Sequence, residues 1–234
     1  IAHAAGSVKK LLPPEFWRTG CRVTSNAPVI AEEVAQTVLA FALASEFRLW
    51  EYAADTRNGG WKSCQLKTRR LAGLKVGLVG LSNVCREVIK LFRFFGCEIV
   101  VYDPYASPFE LADLGVAGAS LTDLMAACDI VSLHAPANED CRHMINGGNL
   151  PLLKDGALFI NTARGMLVDE DALIKELRTG RIFACLDVTD PENPPPDHPF
   201  RTLPNVVLTP HIAGGATENG RKRLGANAIS ETYH

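Results

Sequence analysis

The middle of the chain alternates short apolar stretches with longer amphipathic ones, and this alternation most constrains the fold. An apolar strand is predicted from Lys75 to Gly80, a helix from about Asn83 to Phe95, and a second strand from Glu98 to Tyr102. Strand, turn, helix and strand within about 30 residues make a βαβ unit, in which the two strands run parallel. The sequence therefore predicts an α/β fold.

Three further apolar stretches continue this pattern toward the C-terminus. We predict strands over 129–133, 157–161 and 182–186, separated by helices near 121–127, 146–153 and 169–178. Such an alternation is typical of a parallel, doubly wound sheet of the Rossmann type, with helices on both faces. Ligands bind these sheets beyond the carboxyl ends of the strands.

Before this unit, the sequence predicts a small remnant and one long helix. Residues 1–23 carry two short strands, a turn at Gly6-Ser7 and a short helix. From Ala31 to about Tyr52 the apolar residues recur at helical spacing, which predicts a single helix. Asn58 to Trp61 then form a linker.

Composition excludes some classes of function. The chain has 234 residues, of which 47% are hydrophobic, so it can bury one large core or two modest ones. Its formal net charge of -2, with Lys and Arg interspersed, gives no reason to expect a nucleic-acid or membrane partner. The short basic runs at 67–70 and 221–223 are interpreted as solvated faces.

The cysteines indicate a reduced protein without a metal site. Seven cysteines are scattered along the chain, and no pair has the C-x-x-C spacing of a zinc or redox site. An odd, scattered set is typical of free thiols, so we expect a cytoplasmic protein.

Three segments of the last third bring together side chains that suit one reaction. They are Asn161-Thr162-Ala163-Arg164-Gly165, the segment 186–192 with Glu192, and the segment 209–214 with His211. Arginine binds a carboxylate through a fork of N–H donors, and histidine held by a carboxylate passes a proton near neutral pH. These groups suit the reduction of a 2-oxo acid.

These segments, in this order and after a βαβ unit, resemble the D-isomer-specific 2-hydroxyacid dehydrogenases. The resemblance runs from residues 3–8 through Asp103-Pro104-Tyr105 and Ser132-Leu133-His134-Ala135-Pro136 to His211. It implies an NAD-dependent oxidoreductase that interconverts a 2-oxo acid and a D-2-hydroxy acid. It also implies a remnant of a second, smaller, flavodoxin-like substrate domain at residues 1–26.

The resemblance assigns the catalytic roles and the substrate contacts. His211 would deliver the proton, and Glu192 would orient its imidazole. Arg164 would bind the carboxylate of the substrate and polarise its carbonyl. Backbone amides at Gly6 and Ser7 would complete the carboxylate site.

The glycine-rich turn of the βαβ unit departs from the dinucleotide fingerprint Gly-x-Gly-x-x-Gly. Only the first glycine, Gly80, is present, because Ser82 and Cys85 replace the other two. Each replacement adds a Cβ where space is short, and Cys85 would cost on the order of 1–3 kcal/mol unless its neighbours have adjusted. The following helix, from Asn83 and Val84, still offers free N–H groups to a phosphate.

The remaining cofactor contacts are predicted from position and resemblance. Asp103 ends the second strand about 20 residues past Gly80, where a carboxylate binds both ribose hydroxyls and repels a 2′-phosphate, so NAD is preferred to NADP. An Asp before a proline also simply starts turns. The resemblance implies a further set of cofactor-binding residues, most of them near the nicotinamide. They are His134, Ala135, Pro136, Thr162, Ala163, Asp187 and Gly214.

Several alternatives remain at this point. In one alternative, Arg164 forms a structural salt bridge with Asp169 or Glu170. In another, Asp190 takes the place of Glu192 beside the histidine. His134 would be inert, as most loop histidines are. A non-catalytic nucleotide-binding or scaffold relative would explain Ser82 and Cys85 but would not need all three catalytic side chains. A formate dehydrogenase pairs its histidine with glutamine, which Glu192 argues against.

The resemblance also divides the chain. We expect residues 1–26 to belong to the substrate domain, 27–212 to the dinucleotide-binding domain, and 213–234 to a helix returning toward the substrate domain. The helix over 29–52 would join the domains and form a homodimer, or would be an ordinary core helix. We expect the chain to be a fragment, since it begins and ends inside family elements, and such a fragment could fold without acting on a substrate.

Overall fold

The computed structural model describes residues 1–6, 8, 11–61, 65–215 and 217–232. Within these residues the strands are β1 (Ala2–His3), β2 (Thr24–Ser25), β3 (Lys75–Val79), β4 (Glu98–Tyr102), β5 (Ala117–Gly118), β6 (Ile130–Leu133), β7 (Leu158–Asn161), β8 (Phe183–Leu186) and β9 (Val206–Leu208). The helices are α1 (Ala27–Glu46), α2 (Leu49–Arg57), α3 (Asn83–Phe94), α4 (Pro108–Asp113), α5 (Leu121–Ala127), α6 (Glu170–Leu177) and α7 (Glu218–Ser230).

Seven of the strands form one parallel sheet, so the predicted doubly wound fold is confirmed. The order is β5-β4-β3-β6-β7-β8-β9, and every neighbouring pair is parallel. From β3 the chain adds strands first on one side and then on the other. The direction of winding changes between β3 and β6, and the carboxyl ends of these two strands border the crevice that such a change creates.

The sheet is covered on both faces. One apolar cluster combines residues of β6 to β8 with α5 and α6, and the other combines β3 with α1 and α3. All four residues of β6 and all four of β7 are buried. A parallel strand covered on both faces needs a continuous apolar run, which explains why these strands were predicted from sequence.

The first residues form a separate small unit. β1 and β2 pair in parallel, and a short 3-10 helix over Pro14–Arg18 lies between them in the chain. Asn26, which follows β2, donates from its side chain to the Leu224 carbonyl at 2.7 Å and accepts from Asn227 at 2.6 Å. Both partners lie on α7, so the N- and C-terminal segments pack together.

The prediction of a single helix from Ala31 to Tyr52 is wrong. α1 ends at Glu46, and α2 begins at Leu49 after Arg48, whose φ of 55° lies in the left-handed region. The Arg48 guanidinium lies 3.5 Å from the centre of the Phe183 ring and pairs with Glu51. These tertiary contacts favour the break, which helical periodicity alone does not reveal.

The helix predicted over 146–153 is also wrong, because that segment contains only a 3-10 turn at Leu150–Leu152. Asn146 accepts from the Gly148 amide, and Asn149 accepts from the Asn146 amide, each at 2.9 Å. Asparagine side chains that bond nearby backbone groups compete with helical hydrogen bonds. The prediction also omitted α4, β5 and β9, which are short.

α1 is long and apolar enough to span a membrane by length and composition alone. Its buried residues include Ala35, Val38 and Phe41, and they belong to the cluster shared with α3 and β3. Core helices of soluble proteins have the same composition.

Candidate active site

The parallel register of the sheet brings the predicted site segments to one edge. Leu133 pairs with Asn161, and Asn161 pairs with Leu186, so the residues that follow these strands emerge side by side. They are His134 to Pro136, Thr162 to Arg164, and Asp187.

Gly80 allows a close approach that no other residue permits at its position. Its φ is 96°, and a Cβ built on it would lie 2.5 Å from the Ala135 amide nitrogen. The β3–α3 turn therefore presses against the turn that follows β6. A tight strand–helix turn of this kind at the carboxyl end of a strand suits the phosphates of a dinucleotide.

Ser82 and Cys85 are both accommodated. Ser82 caps α3, because its hydroxyl accepts from the Cys85 amide at 3.4 Å, while Asn83 and Val84 form the first turn. The Cys85 side chain is fully buried in the apolar cluster of α1, α3 and β3. Burial raises the pKa of the Cys85 thiol to about 12, so the side chain stays neutral and acts as a small apolar residue.

Asp103 shapes the turn after β4 and stays available to a ligand. One carboxylate oxygen accepts from the Leu81 amide at 2.7 Å, and the other accepts from the Tyr105 amide at 2.8 Å. The residue also lines a cavity of about 390 Å³ next to Gly80. Each oxygen has a second lone pair, so the carboxylate can shape the turn and still accept from a ribose hydroxyl.

A second cavity, of about 340 Å³, contains most of the residues predicted to lie near the nicotinamide. Its lining includes Gly6, Ser82, His134, Ala135, Pro136, Thr162, Ala163 and Arg164. Within the described residues, the His134 Nε2 and Thr162 Oγ1 atoms are buried without a hydrogen-bond partner. Buried polar atoms without a partner are rare, and both of these belong to residues that line this cavity.

His134 is expected to make stability depend on pH. Burial lowers its pKa to about 3 from an ordinary 6.5, so its contribution is present above pH 6.5 and is lost as pH falls toward 3. Glu170 acts in the opposite sense, because burial raises its pKa to about 7. Because both groups affect stability, the effect of His134 is isolated by comparing the unmodified chain with the variant His134→Gln, which has no titratable group at this position.

Between pH 6.5 and 4, the free energy of unfolding of the unmodified chain should fall faster than that of His134→Gln, by up to about 1.4 kcal/mol per pH unit. Urea unfolding at several pH values measures both slopes. Parallel slopes would mean that His134 is not buried as a neutral side chain.

Arg164 is available to an anion. Its side chain is exposed and donates to the Ala163 carbonyl, and no ion pair joins it to any residue in the described ranges. The two alternative partners have other roles. Asp169 caps α6 by accepting from the Ala172 amide, and Glu170 accepts from the Asp190 amide at 2.8 Å.

His211 and Glu192 are paired. The His211 Nδ1 atom lies 2.8 Å from the Glu192 Oε1 atom, with exposed fractions of 42% and 58%. Asp190, the alternative partner, lies 3.6 Å from Arg142 instead. The imidazole is thus held by a carboxylate on one nitrogen, while Nε2 is directed away from that carboxylate.

Asp187 anchors the loop that carries His211. Its buried carboxylate accepts from the Thr209 hydroxyl, from the Ile212 amide at 2.9 Å and from the Ala213 amide at 2.8 Å. The resemblance places Asp187 near the nicotinamide, which stays a prediction, and it does not predict this anchoring. The only sequence feature that could have indicated this anchoring is the position of Asp187, directly after a buried strand.

The structure does not place all predicted residues in one cavity. His211, Glu192 and Asp187 line a cavity of about 310 Å³, whereas Arg164 lines the cavity that contains Gly6. Ser7 lies outside the described residues. Gly214 packs on α1, because a Cβ there would lie 2.5 Å from the Ile30 Cγ2 atom.

Gly165 joins these two parts of the site, a role that was not predicted from the sequence. A Cβ at Gly165 would lie 2.1 Å from the Thr189 carbonyl carbon and 2.5 Å from the Asp190 nitrogen. The turn after Arg164 therefore rests directly on the backbone that leads to Glu192.

The chain matches a known protein family and several of its relatives. Residues 39–213 match the family model of the D-isomer specific 2-hydroxyacid dehydrogenase, NAD binding domain. The chain is 36% identical over 237 residues to a hydroxypyruvate reductase of Thermotoga maritima, covering 100% of this chain and 76% of the relative. It is 34% identical over 215 residues to a glyoxylate reductase of Aeropyrum pernix, covering 88% of this chain and 64% of the relative.

A solved structure has the same fold. A protein from Thermus thermophilus superposes with a TM-score of 0.86 and 38% identity, covering 98% of this chain and 73% of the other.

Proposed function

The chain belongs to the D-isomer specific 2-hydroxyacid dehydrogenases, an NAD-dependent family, and from this membership we propose that it interconverts a 2-oxo acid and a D-2-hydroxy acid. The observation that carries the proposal is the 2.8 Å contact between His211 and Glu192. A loop histidine paired with a carboxylate beside a dinucleotide-binding edge suits acid–base chemistry on a carbonyl oxygen.

The residues of this chain divide the work as follows. NADH, when bound, supplies the hydride that reduces the carbonyl carbon. Glu192 accepts from Nδ1 of His211 and so directs Nε2 toward the substrate, to which that nitrogen gives its proton. Arg164 binds the carboxylate of the substrate through its guanidinium fork, and Gly6 and Ser7 contribute backbone amides.

A second group of residues would hold the cofactor. Gly80, Ser82, Asn83 and Val84 offer backbone and the start of α3 to the phosphates. Asp103 accepts from the ribose hydroxyls and disfavours a 2′-phosphate. The nicotinamide half would contact the turns that follow β6 and β7, which include His134 and Thr162.

The proposal includes the setting of the enzyme. We infer a cytoplasmic protein, in line with the free cysteines among the described residues. We also infer a homodimer formed through residues 29–52, where Phe47, Leu49 and Trp50 expose 46%, 53% and 44% of their surface. Large exposed apolar side chains grouped in one segment favour a protein interface.

The function is tested by binding and turnover on this chain. NADH should quench tryptophan emission saturably by energy transfer, and NADPH should bind more weakly because Asp103 repels its phosphate. Glyoxylate and hydroxypyruvate should then support NADH oxidation, with hydroxypyruvate giving a D-2-hydroxy acid in chiral analysis. A folded chain that binds NADH yet reduces no 2-oxo acid would fit either the non-catalytic nucleotide-binding relative or the inactive fragment considered from the sequence.

A further inference from the structure

The segment that carries Glu192 is held by a side chain outside the catalytic set. Arg201 lies in a 3-10 helix over Pro199–Arg201, and its guanidinium donates to the Pro194 and Pro195 carbonyls and to the Asn193 side chain. The four distances lie between 2.8 and 3.2 Å. One side chain therefore binds three consecutive residues, beginning directly after Glu192.

Among the described residues this segment has few other hydrogen bonds: the Thr189 hydroxyl donates to the Pro191 carbonyl at 2.9 Å, and the His198 amide donates to the Pro195 carbonyl at 3.0 Å. Prolines at 194, 195 and 196 have no N–H group, so they cannot donate to a neighbouring backbone. Asn193 has a φ of 58°, a left-handed conformation that asparagine tolerates better than most residues. On the other side of Glu192, the Asp190 amide donates to Glu170 at 2.8 Å.

Glu192 itself depends on this backbone. Its side chain is 58% exposed, and within the described residues its only hydrogen bond is to His211. An exposed carboxylate with a single contact is not fixed by packing, so its position follows from the backbone that carries it.

We propose that Arg201 is a positioning residue that keeps Glu192 within hydrogen-bonding distance of His211 by binding Asn193, Pro194 and Pro195. The consequence for turnover rests on the proposed function. The consequence for the His211–Glu192 contact does not, because it can be measured on the protein without substrate.

An alternative role for Arg201 is direct binding of an anion, since it lines the same cavity as His211 and Glu192. The two roles differ in their kinetics. Loss of a positioning residue lowers kcat, whereas loss of a binding residue raises KM.

The first measurement is the tautomer of neutral His211 in long-range ¹H–¹⁵N spectra at alkaline pH. Glu192 accepts from Nδ1–H in the unmodified chain, so that tautomer should dominate. Arg201→Ala should move His211 toward the Nε2–H tautomer, and Glu192→Ala should do the same. Arg201→Lys, which keeps the charge but lacks the fork, should restore only part of the Nδ1–H signal.

The matched control is Arg93→Ala. Arg93 also donates to loop carbonyls, those of Leu114 and Gly115, but lines none of the three cavities. The control should leave the His211 spectrum unchanged. Circular dichroism and thermal unfolding verify that each variant is folded.

The second measurement is turnover. Arg201→Ala should lower kcat about 10- to 100-fold with little change in KM for the 2-oxo acid, because small errors of placement at a reacting group have large effects on rate. An unchanged His211 tautomer in folded Arg201→Ala overturns the proposal, as does a raised KM with unchanged kcat. If the unmodified chain has no turnover, the proposed function fails, and the spectra alone decide the role of Arg201.

Discussion

The variant His211→Asn should lose turnover about 10²- to 10⁴-fold while it still binds NADH, because His211 is the proposed proton donor and does not line the two cavities proposed to hold the cofactor. Asparagine keeps a polar side chain and tolerates the φ of 54° at this position. The variant should therefore fold and retain the loop that Asp187 anchors. Steady-state NADH oxidation and NADH titration, performed on the same samples, separate the two effects.

The chain offers a matched control for this substitution. His143 is also exposed and also has a left-handed backbone, with a φ of 51°, but it lines none of the three cavities. His143→Asn should leave kcat and KM unchanged. Equal turnover in His211→Asn and the unmodified chain would rule out His211 as the proton donor.

The sheet could be predicted because its strands are buried on both faces. The apolar runs that became β3, β4, β6, β7 and β8 were each located within one residue. Such runs are continuous because helices cover both sides of a parallel sheet. The short edge strands β5 and β9 have two and three residues and gave no comparable signal.

The wrong predictions have different physical causes. At the break between α1 and α2, Arg48 lies over the ring of Phe183, which is 135 positions further along the chain. The turn at 146–153 depends on asparagine side chains that bond the backbone locally. Helical periodicity reports only which faces are apolar, so it is silent on both.

Sequence patterns also reveal only part of the candidate site. His211 and Glu192 were paired in advance through a resemblance, and the residues alone left Asp190 as an alternative. Arg201 carries no recognisable motif, because its role depends on which carbonyls fold against it. Gly165 was visible within Asn-Thr-Ala-Arg-Gly, yet only the structure shows which backbone it approaches.

Gly165→Ala should therefore have the second largest effect. The added Cβ would lie 2.1 Å from the Thr189 carbonyl carbon and 2.3 Å from its oxygen, and neither atom can rotate away as a side chain would. The turn after Arg164 and the segment before Glu192 must separate by an ångström or more. Overpacking of this kind costs about 1–3 kcal/mol and sometimes more, and misplacement of catalytic groups by about 1 Å costs up to about 10²-fold in rate.

The control for Gly165→Ala is Gly225→Ala. Gly225 lies inside α7, and a Cβ there would have no heavy atom within 4 Å outside the helix itself. Alanine is a better helix former than glycine, so this variant should gain about 0.5–1 kcal/mol of stability and keep its turnover. Urea unfolding and NADH oxidation measure both variants under the same conditions.

The pattern of losses in Gly165→Ala tests how the two cavities work together. Binding of NADH should weaken less than turnover, because Gly80 and Asp103 line a cavity whose lining includes none of Gly165, Thr189 and Asp190. If Gly165→Ala were as stable and as active as the unmodified chain, Arg164 and Glu192 would be positioned independently. Since the Gly165 turn rests on the backbone before Glu192, we expect instead that catalysis requires both to be held in one fixed arrangement.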